Sequence, residues 1–206
     1  ALVSCEQLGL DFDTVFANTN TSYEPDEAGR SSGKTGSDIE RILAFHAIGR
    51  KDPVEYQQEW SEVLRHALSI QTEYMDSIYR NKLTELQYQV TRNSATERAF
   101  TGLYDKHFVS GNYYCICCHH MLFTSDSKYN SGCGWPAFHT EDENAAISRI
   151  TDNSHGMVRT EVKCSKCDAH LGHVFKDGPK EYGGERYCIN SAALEFKEET
   201  KDGNKN

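Results

Sequence analysis

Apolar positions are sparse and irregular over the first fifty residues, and the pattern sharpens afterwards. Asn18 to Ser37 is almost wholly Asn, Thr, Ser, Gly, Pro and acid. Such a stretch predicts little burial to offset the entropy of ordering, so 1–52 reads as a polar, poorly ordered extension. Within it, Ile39, Leu43, Phe45 and Ile48 predict a short helix that breaks at Gly49. Tyr56, Trp60, Val63, Leu64, Ala67, Leu68, Tyr74, Met75 and Ile78 then recur three to four apart. That spacing predicts an amphipathic helix over 53–79, with Asp52 as N-cap and Pro53 in the first turn, so 53–82 forms a helix and connection. The helix either covers the main domain or, as the weaker alternative, binds a partner. Thr84-Glu-Leu-Gln87 has capping-box spacing and predicts another short helix.

Beyond residue 105 the helical period disappears. Short apolar or alternating runs, among them 146–150, 157–162, 171–175 and 186–189, are separated by Gly, Asn, Asp and Pro. The compact part of the chain is therefore expected to be mostly β, with short helices before it and a charged tail over 197–206.

Composition narrows the partners. The 206 residues carry 22 Lys+Arg against 31 Asp+Glu, a net charge of −9, which opposes phosphate backbones and argues against nucleic acid as a partner. No apolar run reaches the length of a membrane span, so no membrane is expected. Residues 1–50 hold 8 acidic and 4 basic residues and no secretory apolar core. The cytoplasm is favoured, although a chain beginning at Ala1 leaves room for a leader already removed.

Cysteine carries the chemistry. Cys115-Ile-Cys-Cys118 and Cys164-Ser-Lys-Cys167 are two C-x-x-C pairs with 45 residues between them. Four thiolates so arranged predict a closed tetrahedral zinc site, structural because no coordination position is left open. Disulfides are the rival reading, which the paired spacing and the missing signal sequence oppose. Cys117 lies inside the first pair, Cys5 lies in the extension, and neither receives a role. Cys133 sits between glycines in Ser131-Gly-Cys-Gly-Trp-Pro136, and Cys188 follows Arg186 on an expected strand. A cation and a nearby histidine, from His170-Leu-Gly-His173, would favour a thiolate at Cys188, whereas an inert buried thiol is the commoner fate of a lone strand cysteine.

Taken together, Thr96-Glu-Arg-Ala-Phe-Thr-Gly102, Ser131-Gly-Cys-Gly-Trp-Pro-Ala-Phe138, Cys164-Ser-Lys-Cys-Asp-Ala-His-Leu-Gly-His-Val-Phe175 and Arg186-Tyr-Cys-Ile-Asn-Ser191 resemble the B-type peptide methionine-R-sulfoxide reductases. The resemblance spans roughly 83–196. It implies two antiparallel sheets with a structural four-cysteine zinc site set apart from the active site. It implies Cys188 as nucleophile and Cys133 as the resolving thiol. His173 and Asn190 would assist at the sulfoxide oxygen, Trp135 would hold the substrate methyl group, and His170 and Arg186 would line the site. Oxidised proteins would be the substrates and thioredoxin the reductant. His119 stands where the family commonly has glycine. A non-catalytic zinc module of similar shape is the alternative, but it has no use for Cys133, Trp135, His173 and Cys188 together.

Overall fold

The computed structural model describes Cys5 and residues 7–199. Two compact units divide between Ile78 and Tyr79. Among the described residues no helix is long and apolar enough to cross a membrane.

Within 1–52, where the sequence predicts a polar and poorly ordered extension, residues 1–4 and 6 lie outside the described residues and the remainder carries two helices. Helix α1 spans Phe12–Ala17 and α2 spans Gly36–Ala47, the latter opened by a reciprocal capping box between Thr35 and Asp38. Helix α2 contains the predicted short helix and ends before Gly49, which has φ +69°. Order comes from two small clusters, Phe12 with Phe45 and Cys5, and Ile42 with Val63 and Ala67. It also comes from polar groups that satisfy one another. Buried Asp38 accepts from the hydroxyls of Ser31 and Ser32 at 2.8 and 3.0 Å. Buried Asp52 takes Arg41 in a two-pronged ion pair at 2.5 and 2.8 Å. Hydropathy alone overlooks such pairs, whose partners remove the cost of burial.

That use of Asp52 also moves the next helix. Asp52 accepts from Tyr56 and Arg41 and is not an N-cap. Residues 53–59 are irregular, with Ser31 bridging Tyr56, and α3 runs Trp60–Lys82. Tyr74, Met75 and Ile78 of the apolar pattern stay exposed.

In the second unit α4, Glu85–Asn93, starts at the predicted Thr84–Gln87 capping box. Among the described residues nine strands follow: β1 Gly111–Cys115, β2 Met121–Thr124, β3 Lys128–Tyr129, β4 Ala137–Phe138, β5 Ile147–Asp152, β6 Arg159–Cys164, β7 His170–Phe175, β8 Arg186–Ile189 and β9 Leu194–Glu198. They build two antiparallel sheets, ordered β2-β1-β9 and β3-β4-β8-β7-β6-β5. The mostly-β expectation is met. Lys197 and Glu198 belong to β9, so the expected tail is shorter at its start, and 200–206 lies outside the described residues. Tyr113, Phe123, Phe138, Leu171, Tyr187 and Ile189 form the core, with Phe123 stacked on Phe138 at 4.3 Å.

Sheet register assembles the chemistry. Pairing of β7 with β8 sets His173 opposite Cys188, and pairing of β4 with β8 sets Ala137 opposite Cys188. The first register depends on Gly172, where a Cβ would lie 2.1 Å from the Cys188 carbonyl oxygen. The second brings the Cys133 loop, which leads into β4, over the same strand.

Candidate active site and cysteine cluster

Two matching turns build the cysteine cluster. After β1 and after β6 the chain reverses through His119 and Asp168, both in the left-handed region at φ +60° and +61°. Their N–H groups donate to the carbonyls of Cys115 and Cys164 at 2.8 and 2.9 Å. His119 thus adopts the conformation that glycine takes most easily. Its ring is tied down by Lys82 at 2.9 Å and Glu195 at 2.5 Å. The sulfurs of Cys115, Cys118, Cys164 and Cys167 all lie within 4.8 Å of one another, the shortest separations being 3.5 and 3.7 Å. A tetrahedral ion with bonds of about 2.3 Å sets its sulfurs about 3.8 Å apart, so the cluster fits a metal such as zinc. Cys117 is buried beside this foursome in the core, and Cys5 is buried with Phe12 and Phe45.

The other two cysteines meet away from that cluster. Cys133 Sγ lies 3.6 Å from Cys188 Sγ, and Ser131 donates to Cys133 at 3.0 Å. The pair shares a proton unequally. A hydrogen bond from Cys188, aided by Ser131 and Arg186, holds the Cys133 thiol down to about 5. Donation to Cys133 and burial push the Cys188 thiol up, against the pull of Arg186. Their mutual hydrogen bond thus favours the thiolate at Cys133, while Arg186 favours it at Cys188 as well. Arg186 is fixed by Asp177 through two bonds of 2.8 Å.

Alkylation checks this distribution. Iodoacetamide should modify Cys133 first in the reduced chain, because the thiolate is the reactive form. The rate should rise through about pH 5 and level off by neutrality. A rate that still climbs above pH 8, or first modification at Cys188, would contradict it.

Cys188 opens on a slot of about 140 Å³, with Trp135, Arg159, His173, Phe175 and Asn190 among its walls. Trp135 is held by its indole N–H donating to the Glu97 carbonyl at 3.2 Å. His173 Nε2 pairs with Asp152 at 2.8 Å. Hydrogen bonds from Ser154 and His173 hold the Asp152 carboxyl well below its ordinary value, and Arg159 adds an ion pair at 2.7 Å. Asn190 is nearly buried and braces the wall, donating to Leu171 O at 3.0 Å and accepting from Glu97 N–H at 3.0 Å. His170 does not border the slot. It lines an adjoining polar hollow with His173 and Asp152 and bonds Glu161 at 2.5 Å, and burial lowers its pKa.

Sequence reasoning passed over Asp152, Arg159, Glu161, Asp177 and Glu97. Asp152 pairs with Arg159 in the β5–β6 register, and Asp177 closes a loop back to Arg186. Only the pairing of strands reveals those partners. Glu97 does lie inside the quoted Thr96–Gly102 motif, and its buried carboxylate accepts from Ser191 and Ala192 N–H at 2.6 and 2.9 Å.

Residues 83–198 match the SelR domain family model. The peptide methionine sulfoxide reductase MsrB of Synechococcus sp. (strain RCC307) is 54% identical over 128 residues, covering 62% of this chain and 93% of that protein. A probable methionine-R-sulfoxide reductase B of Caenorhabditis elegans is 54% identical over 125 residues, covering 60% of this chain and 81% of that protein. The chain belongs to the SelR domain family, that of the MsrB-type methionine-R-sulfoxide reductases.

Proposed function

We propose that this chain reduces methionine-R-sulfoxide in oxidised proteins, with Cys188 as nucleophile and Cys133 as resolving thiol. The observation that carries the reading is Cys188 at the end of a slot walled by Trp135 and His173, with a second sulfur 3.6 Å behind it. A sulfoxide sulfur accepts a nucleophile only as its oxygen gains a proton. Trp135 gives the substrate methyl group a flat apolar wall. His173, oriented by Asp152, donates toward the oxygen, and Asn190 fixes that wall. Cys188 passes its proton to the Cys133 thiolate as its sulfur attacks. Methionine leaves and Cys188 is left as a sulfenic acid, which condenses with Cys133 to a disulfide and water. Thioredoxin then restores both thiols by exchange. A peptide carrying methionine-R-sulfoxide, incubated with the chain and dithiothreitol, should lose the mass of one oxygen. An unchanged mass would overturn the reading.

Zinc at Cys115, Cys118, Cys164 and Cys167 belongs to the same proposal. It would clamp the two turns and supply no redox chemistry. Cys164→Ser should release the metal and unfold at lower temperature, since metal binding is coupled to folding. Elemental analysis should find one zinc per wild-type chain and far less in the variant. A folded wild type without metal would contradict this.

A further inference from the structure

The segment after α4 is pinned to the slot and its loop at three points. Thr96 borders the slot, the Glu97 carbonyl holds the Trp135 indole, and the Phe100 N–H donates to the Gly134 carbonyl at 2.7 Å. That last residue is strained. Phe100 has φ +64°, in the left-handed region that a bulky side chain rarely adopts and that glycine enters freely. Burial does not offset the strain, because Phe100 is 65% exposed. One edge of its ring rests on Gly134, where a Cβ would lie 3.0 Å from Phe100 Cδ2 and 2.9 Å from its backbone nitrogen. Gly134 stands between Cys133 and Trp135 in the chain. A strained backbone thus presents an exposed aromatic ring on the loop that carries the flat wall of the slot. Strain kept where glycine would make the same turn at no cost points to a ligand contact.

We propose that Phe100 is an outer contact for the substrate polypeptide and takes an apolar side chain two residues away from the methionine sulfoxide. The inference rests on the reductase reading above and adds which sequences around the oxidised methionine the chain selects. In an extended peptide, side chains at i and i±2 point to one face, about 7 Å apart. With the sulfoxide side chain beside Trp135, its neighbours at ±1 face outward and those at ±2 face the protein. Gly134 and Trp135 are consecutive, with Cα atoms about 3.8 Å apart, so the ring resting on Gly134 is within reach of a ±2 side chain. The ring has neither charge nor hydrogen-bonding group, so it favours leucine or phenylalanine over serine. Such a contact suits oxidised segments drawn from an opened core, where methionine has apolar neighbours.

The test uses the full chain, dithiothreitol and two glycine peptides with a central methionine-R-sulfoxide. One has leucine at both positions two residues away, and the other has serine there. Wild type should reduce the leucine peptide with a kcat/KM about fivefold or more above the serine peptide. The difference should reside in KM, because the contact is made equally before and during reaction. Phe100→Gly, which removes the ring and suits the left-handed turn, should bring that ratio below about twofold. Phe100→Tyr keeps the ring face and should hold the ratio within about twofold of wild type. The ratio compares two substrates on one protein, so a folding defect lowers both rates and leaves it unchanged. A wild-type ratio below twofold, or a wild-type ratio retained in Phe100→Gly, overturns the proposal. Loss of all activity in Phe100→Gly would assign the ring to stability and overturns it too. A wild type that reduces neither peptide sinks the reductase reading itself, whereas reduction of both at equal rates sinks only the outer contact.

Discussion

Cys188→Ser should lower methionine release in a single turnover by at least ~10⁴-fold, with dithiothreitol or thioredoxin alike, because a serine hydroxyl is neither acidic nor nucleophilic enough to attack sulfur. The substitution decides between two properties of the pair that point in opposite directions. Charge favours Cys133, whose thiol is held down to about 5. Access favours Cys188, which alone of the two borders the slot with Trp135 and His173. If charge ruled, Cys188→Ser would retain its first turnover. Access should rule, because a thiolate that cannot reach the sulfoxide contributes nothing, while a proton crosses a 3.6 Å sulfur–sulfur contact readily. Zinc content and thermal unfolding should stay at wild-type values, since the four clustered thiols belong to other turns. Quenched-flow release of methionine, read beside elemental analysis, checks both parts.

Cys133→Ser should separate the two half-reactions. Removing Cys133 also removes the neighbouring sulfur that pushes the Cys188 thiol up, and Arg186 remains to favour the thiolate. Attack should therefore survive, and the variant should release about one methionine per chain without reductant. Its oxidised product should carry a sulfenic acid that dimedone traps, where wild type holds a disulfide. Dithiothreitol, small enough to reach Cys188, should support turnover within about tenfold of wild type, while thioredoxin-supported turnover should fall by roughly a hundredfold or more because no disulfide is left to exchange. Equal loss with both reductants would mean that Cys133 shapes the site without recharging it. No loss with either would point to another resolving thiol.

Much of the second unit is legible in the sequence because its signals are local. The Thr84–Gln87 box caps α4 where its spacing predicts. The two C-x-x-C pairs turn four sulfurs to one point, since each turn is a few residues long. Cys133 and Cys188, 55 residues apart in the chain, are joined in the sequence by family resemblance alone, and β4–β8 pairing is the physical reason that they meet. What escapes a sequence reading depends on partners distant along the chain. Asp152 is an ordinary strand-end acid until β5, β6 and β7 align it with Arg159 and His173. The order of the first unit escapes for a related reason. Its polar residues look solvated one at a time, yet buried Asp52 is held by Arg41, and Ser31 and Ser32 are buried with Asp38 as a matched set. The start of α3 moves because Asp52 is already committed to Arg41.

The most direct test mixes the reduced full chain with a peptide carrying either the R or the S epimer of methionine sulfoxide, in the absence of any reductant. Peptide and protein masses are then read together. The R epimer should yield about one methionine per chain and a protein lighter by two hydrogens, with Cys133 bonded to Cys188, while the S epimer stays unreacted. Methionine formed without that disulfide, or equal reaction of both epimers, would contradict it.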